Sequence, residues 1–132
     1  MSVVGVLTAG GDCPGLNAVI RGVVARADER DAEVVGIRNG WEGLMNGSTV
    51  SLDRDSVRGI LTRGGTILGT SRMDPYVHGD GYASCERTIQ ANGIDSLIVR
   101  VNGNGIRRHH IVYRHFKQVA VFLNRPSEIS VS

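Results

Sequence analysis

Gly5-Val6-Leu7-Thr8-Ala9-Gly10-Gly11-Asp12-Cys13-Pro14-Gly15-Leu16-Asn17 decides the reading of this chain. Val3 to Leu7 is an apolar, β-branched run of the kind that forms a buried strand. Gly10, Gly11 and Gly15 then give a loop with no side chains between its amides and a ligand, and Leu16 opens a patterned helix. Backbone N–H groups and the positive end of the helix dipole would converge on one point, a geometry suited to phosphate.

Outward from that stretch, Val19, Ile20, Val23, Val24 and Ala27 form an apolar stripe, so residues 16–30 read as a helix packed on a sheet. Glu33 to Ile37 reads as a second strand, and the connection is long enough for a parallel βαβ crossover. Asn39 to Gly47 is punctuated by Gly40, Gly43 and Gly47 and reads as a loop with a short helical turn. Thr49 to Leu52 is a short strand. Asp53 caps an expected helix over Ser56 to Arg63, with Val57, Ile60 and Leu61 facing inward. A second glycine-rich segment follows, Arg63-Gly64-Gly65-Thr66-Ile67-Leu68-Gly69-Thr70-Ser71-Arg72, with hydroxyls and an arginine at its end. Residues 73–82 read as loop, Ala83 to Asn92 as a helix ended by Gly93, and Ser96 to Val101 as a strong strand. Ile106 to His115 then reads as helix, Gln118 to Leu123 as strand, and Asn124 to Ser132 as a polar tail.

With 132 residues the chain is the size of one domain, 1–132, with a real core. A net charge of +2 gives no reason to expect nucleic acid or a membrane as partner and leaves small ligands. The two cysteines, Cys13 and Cys85, are far apart and in no metal-ligand spacing, and the N-terminus has no charged-then-apolar leader, so a reduced, cytoplasmic setting is expected. No internal repeat is visible.

Spacing alone leaves alternatives open. Glycines after a strand serve tight packing as well as phosphate, and the first loop fits neither the dinucleotide fingerprint nor the Gly-Lys-Ser/Thr ending of a P-loop. Arg21, Arg26 and Arg54 read by themselves as an ordinary solvated face. Trp41, the sole tryptophan, can be core filler. Cys13 precedes a helix, which can lower a thiol pKa, although a small residue filling a turn accounts for it. The arginines and histidines of residues 100–117 form no metal set, since adjacent His109 and His110 point to different helix faces.

Read together, Gly5 to Val24, Asn39-Gly40-Trp41-Glu42-Gly43-Leu44 and Arg63 to Arg72 resemble the N-terminal part of the ATP-dependent 6-phosphofructokinases. The resemblance runs from about residue 3 to residue 99 and implies a three-layer α/β sandwich with a mostly parallel sheet, the nucleotide-binding portion of a longer enzyme. It implies ATP with magnesium, and transfer of the γ-phosphoryl to the 1-hydroxyl of fructose 6-phosphate, a step needing arginine near the transferring oxygens. By position it places Gly10, Gly11, Arg72, Gly103 and Gly105 at the ATP phosphates and Trp41 beside the nucleotide. Arg21 and Arg54 match arginines that hold a phosphorylated effector. Where a second effector arginine is expected, the chain has Ala25 followed by Arg26. A homotetramer is implied for the complete enzyme.

The pattern then departs. The family's magnesium motif carries an aspartate where this chain has Asn104, and its catalytic base and second aspartate stand where this chain has Ser127 and Ile129. An amide is a poorer ligand than a carboxylate for a hard cation, and a serine hydroxyl is no general base at neutral pH without an activator. The expectation is phosphate binding without unaided turnover. The alternatives are a non-catalytic nucleotide or phosphate module and a pyrophosphate-dependent relative.

Overall fold

The computed structural model describes residues 2–10, 15–71, 81–102, 118–123 and 129–131. Strand β1 (Val3–Gly10) leads into helix α1 (Leu16–Glu29), strand β2 (Glu33–Ile37), helix α2 (Gly40–Asn46) and strand β3 (Thr49–Leu52). A 3-10 turn (Ile60–Thr62), helix α3 (Gly81–Ala91) and strands β4 (Ser96–Asn102), β5 (Gln118–Leu123) and β6 (Ile129–Val131) follow. They form one sheet in the order β3-β2-β1-β4-β5-β6. β1 pairs in parallel with β2 and β4, and β4 with β5; the edge strands β3 and β6 are antiparallel. The sheet is mostly parallel, as expected.

Strand alternation sends side chains of β1 to opposite faces. Leu7 and Ala9 join Leu97 and Val99 of β4 and Trp41, Leu44 and Cys85 of α2 and α3 in one buried cluster. Val6 faces the other way, with Ile20, Val24 and Ala27 of α1 and with Val57, Ile60 and Leu68. Helices on both faces make three layers, and both faces of β1 are dry, which accounts for its nearly continuous apolar run.

Three local expectations change. The helix expected over 56–63 is only the 3-10 turn, because Gly59 sits at φ 74 and breaks the α-path. Asp53 and Ser56 close a local box instead: the Ser56 N–H donates to Asp53 Oδ1 at 2.8 Å and the Asp53 N–H to Ser56 Oγ at 2.7 Å. Val57 and Ile60 do face inward, but Leu61 is 53% exposed. The short helical turn expected within Asn39 to Gly47 is longer than a turn: it is helix α2, entered through left-handed Asn39 and Gly40 and left through Gly47. Within the polar tail, Ile129–Val131 pairs with β5. The helix expected over 106–115 lies outside the described residues, as does the loop expected over 73–82 apart from Gly81 and Tyr82, which belong to α3.

Candidate phosphate-binding site

From β1 the chain steps to β2 and β3 on one side, then returns to place β4 on β1's other side. That reversal is a topological switch point, where open α/β sheets bind ligands beyond the carboxyl ends of their strands. Here those ends are Gly10 and Asn102, which face each other in register. Gly10, which opens the glycine loop in sequence, therefore stands at the crevice. Gly15, at φ 93, turns the chain into α1, and its carbonyl accepts the Val19 N–H at 3.1 Å. No acidic side chain stands in the first turn of α1, so nothing there repels an anion.

The second glycine-rich segment is fastened to the first by side chains that sequence reasoning had passed over. Thr8, fully buried within the apolar β1, donates its hydroxyl to the Gly69 carbonyl at 2.8 Å. A hydroxyl has one hydrogen, so in the 3.1 Å contact between Thr8 and Thr66 the donor is Thr66. Thr66 Oγ1 in turn accepts the Leu68 N–H at 3.1 Å. Asn17, on the first turn of α1 and 3% exposed, spans the segment's start: its Nδ2 donates to the Arg63 carbonyl at 3.2 Å and its Oδ1 accepts the Ile67 N–H at 2.8 Å. The Asn39 N–H adds a bond to the Leu68 carbonyl at 2.8 Å. The available signal was polarity out of place, a hydroxyl in a buried strand and an amide beside the apolar stripe of α1.

Two glycines let the backbones approach. A Cβ on Gly40 would lie 2.9 Å from the Thr8 carbonyl oxygen, and one on Gly69 would lie 2.6 Å from Asn39 Oδ1. Both residues also have positive φ, 59 and 74 respectively, so a side chain there would be strained twice over. The ends of β1, α2 and the 63–71 segment thus meet in one corner.

The residues singled out from the sequence fall as follows. Gly10 ends β1 at the crevice. Trp41 is 4% exposed and packed with Leu7, Ala9, Leu44 and Cys85, on the opposite sheet face from α1. Arg21 is on the exposed side of α1. Arg54 pairs with Asp28 at 2.6 Å, both side chains more than half exposed, and Asp28 lies two helical turns beyond Arg21 on the same face of α1. Arg21 and Arg54 therefore share a surface, with Asp28 beside Arg54. Arg26 is taken up by Glu29 at 3.0 Å. Gly11, Cys13, Arg72, Gly103, Asn104, Gly105 and Ser127 lie outside the described residues.

Among the described residues, two groups have shifted proton affinity. The Ser56 backbone N–H, and then its hydroxyl, hold the Asp53 carboxyl below its usual range, and burial pushes the Cys85 thiol up to about 12. Cys85 is thus a core residue in chemical terms. Among the described residues no three His, Cys, Asp or Glu side chains gather to hold a metal ion. In sequence, position 104 carries an amide, a poorer ligand than a carboxylate for a hard cation such as magnesium. Among the described residues no helix is long and apolar enough to cross a membrane.

Comparison with known proteins agrees with this geometry. The chain is 52% identical over 104 residues to the ATP-dependent 6-phosphofructokinase 3 of Streptomyces coelicolor, covering 77% of this chain and 30% of that protein. It is 52% identical over 96 residues to the pyrophosphate–fructose 6-phosphate 1-phosphotransferase of the same organism, covering 72% and 28%. It thus spans less than a third of the length of these relatives. Among solved structures, the phosphofructokinase of Saccharomyces cerevisiae superposes with a TM-score of 0.80 at 26% identity over 95% of this chain and 20% of that one. That of Pichia pastoris gives 0.76 at 34% identity over 86% and 13%. Residues 3–116 match the family described as phosphofructokinase. With the switch-point crevice and its paired glycine segments, this match means that the chain belongs to the phosphofructokinase family.

Proposed function

We propose that the chain is the nucleotide-holding part of a 6-phosphofructokinase, and that the complete protein passes the γ-phosphoryl of ATP to the 1-hydroxyl of fructose 6-phosphate. One observation carries the reading: Thr8 and Asn17 hold the 63–71 segment against the glycine-rich end of β1 at the switch point. In this reading Gly10, Gly11, Gly103 and Gly105 let backbone amides reach the phosphates, and Arg72 offsets their charge. Trp41 stands beside the nucleotide as part of the packed wall that fixes α2, with its ring in the core. With Asn104 and Ser127 in place of carboxylates, the chain holds ATP without turning it over, and magnesium, where present, comes with the nucleotide.

Arg21 and Arg54 form the effector surface in this proposal, where an anion would compete with Asp28 for Arg54. The complete protein is proposed as a cytoplasmic homotetramer. Calorimetry of the purified chain with ATP is the test: binding that weakens on Arg72→Ala and persists without magnesium is expected, with no fructose-6-phosphate-dependent ADP release. A folded chain that binds neither ATP nor pyrophosphate would sink the proposal.

A second reading has its own support, since relatives named for pyrophosphate are as similar to the chain as those named for ATP. In that case the same cradle takes pyrophosphate as donor. Competition between the two ligands on one sample separates the readings, because the true donor binds more tightly and displaces the other.

A further inference from the structure

We propose that Thr8 and Asn17 are positioning residues for phosphate binding, setting where residues 63–71 lie against the end of β1 and the first turn of α1. This rests on the phosphate-binding reading above and goes beyond it, by assigning the alignment of the two glycine segments to two side chains that need touch no ligand.

After Thr62 the segment belongs to no helix or strand, so its backbone groups depend on partners from elsewhere. Thr8 and Asn17 supply them at Arg63, Ile67 and Gly69, with Thr66 linked to Thr8 and the Asn39 N–H on Leu68. Apolar packing alone would not select these groups. Valine has the shape of threonine, suits a buried strand and brings no polar atom into the core. An apolar contact tolerates sliding, whereas a hydrogen bond holds its partner to a narrow distance and direction. Two polar groups in otherwise apolar positions therefore fix geometry, and the geometry they fix is that of one phosphate-facing segment relative to the other. Ser71 ends the described part of this segment, and Arg72 follows it in sequence.

The test measures affinity of the purified chain for inorganic pyrophosphate and for ATP, with thermal melts recorded alongside. Thr8→Val is expected to weaken binding about tenfold, since it removes the hydroxyl that holds the Gly69 carbonyl and leaves that group unpaired. Thr8→Ser, which keeps the hydroxyl, should bind within about twofold of the parent. The separating measurement is a double-mutant cycle: if Thr8 acts by placing the segment, the loss caused by Arg72→Ala shrinks in the Thr8→Val background. A general loss of stability would leave that difference unchanged. Should Thr8→Val fail to fold, Asn17→Ala serves in its place, removing the bonds to Arg63 and Ile67 without adding charge beside the phosphate. Parent-like binding by these variants, or an Arg72→Ala penalty identical in both backgrounds, overturns the positioning role while leaving the phosphate-binding reading intact. A parent chain that binds neither probe overturns both.

Discussion

Replacing Gly43 by alanine should destabilise the chain although it improves the intrinsic propensity of a helix. A Cβ at Gly43 would fall inside the van der Waals envelope of the Arg38 carbonyl oxygen and 2.7 Å from the Arg38 carbonyl carbon. Both atoms are backbone, so no rotamer change relieves the contact. Nor can the two segments drift apart freely: the Arg38 N–H donates to the Ser48 carbonyl at 3.0 Å, and the Ser48 N–H to the Gly43 carbonyl at 2.8 Å. The turn is closed by its own hydrogen bonds. Helix propensity favours alanine by about 1 kcal/mol, whereas overpacking against fixed atoms costs about 3 kcal/mol or more. A net loss of about 2 kcal/mol follows, or about 8 °C in Tm for a domain of this size. Gly22→Ala is the matched control, because a Cβ on this α1 glycine meets nothing within 4 Å. There only the propensity gain operates, and stability should rise by about 0.5–1 kcal/mol. Urea denaturation and thermal melts of both variants give the comparison. Shifts of the same sign in the two, or a Gly43→Ala chain as stable as the parent, would refute the close-approach argument.

Other measurements bear on separate features. In a Cys13→Ser background, the Cys85 thiol, raised to about 12 by burial, should react with a disulfide reagent at pH 8 only as fast as the chain opens; immediate labelling of the folded protein would contradict its place in the core. Because the folded chain keeps that proton above the ordinary thiol value of 9.0, Cys85 favours folding below about pH 9, and the contribution falls away as pH rises toward 12, which denaturation at a series of alkaline pH values would follow. Ser56→Ala should raise the Asp53 pKa toward the free value by removing the hydroxyl, as read by NMR titration; since that pKa is lowered in the fold, any stability it brings is present above the free value and fades as pH drops through the folded one. The exposed Arg54–Asp28 pair should matter little, with Asp28→Asn costing no more than about 1 kcal/mol and less at high salt, so a larger loss in denaturant titrations would show that more than a surface ion pair is broken.

What could be read from the sequence follows physical range. β1, α1 and β2 were legible because each carries a local period: an apolar run in a strand buried on both faces, and a stripe at helical spacing in α1. α2 was not. Its glycines and Asn39 are loop formers by propensity, yet here they let a short helix sit against the ends of β1 and β2, a tertiary demand that propensity does not encode. The expected 56–63 helix failed for the converse reason, since an adequate apolar spacing and cap lost to Gly59 in the left-handed region. β6 depends on pairing with β5, which no pattern within Asn124 to Ser132 announces. The site divides in the same way. Each glycine segment was visible as a loop that could face phosphate, but their juxtaposition depends on bonds between residues 46 to 61 positions apart.

That division bears on why holding a phosphate and transferring it can be separate properties of this chain. Among the described residues, the contacts that shape the crevice come from β1, the first turn of α1, the entrance of α2 and residues 63–71, and the pairing of β1 with β4 runs from Val4 and Ser96 to Gly10 and Asn102. All of these precede Asn104 and Ser127, which the proposed function reads as standing in place of carboxylates. A glycine cradle acts through backbone amides and a helix end, which any sequence supplies once the fold is formed, whereas proton abstraction and cation binding need particular side chains. On that proposal, loss of the latter leaves the former standing. Restoring aspartate at 104 and 127 should therefore leave the affinity for pyrophosphate in metal-free buffer close to that of the parent. A large change there would mean that those positions help to shape the cradle, contrary to the division drawn from Thr8, Asn17 and the β1–β4 register.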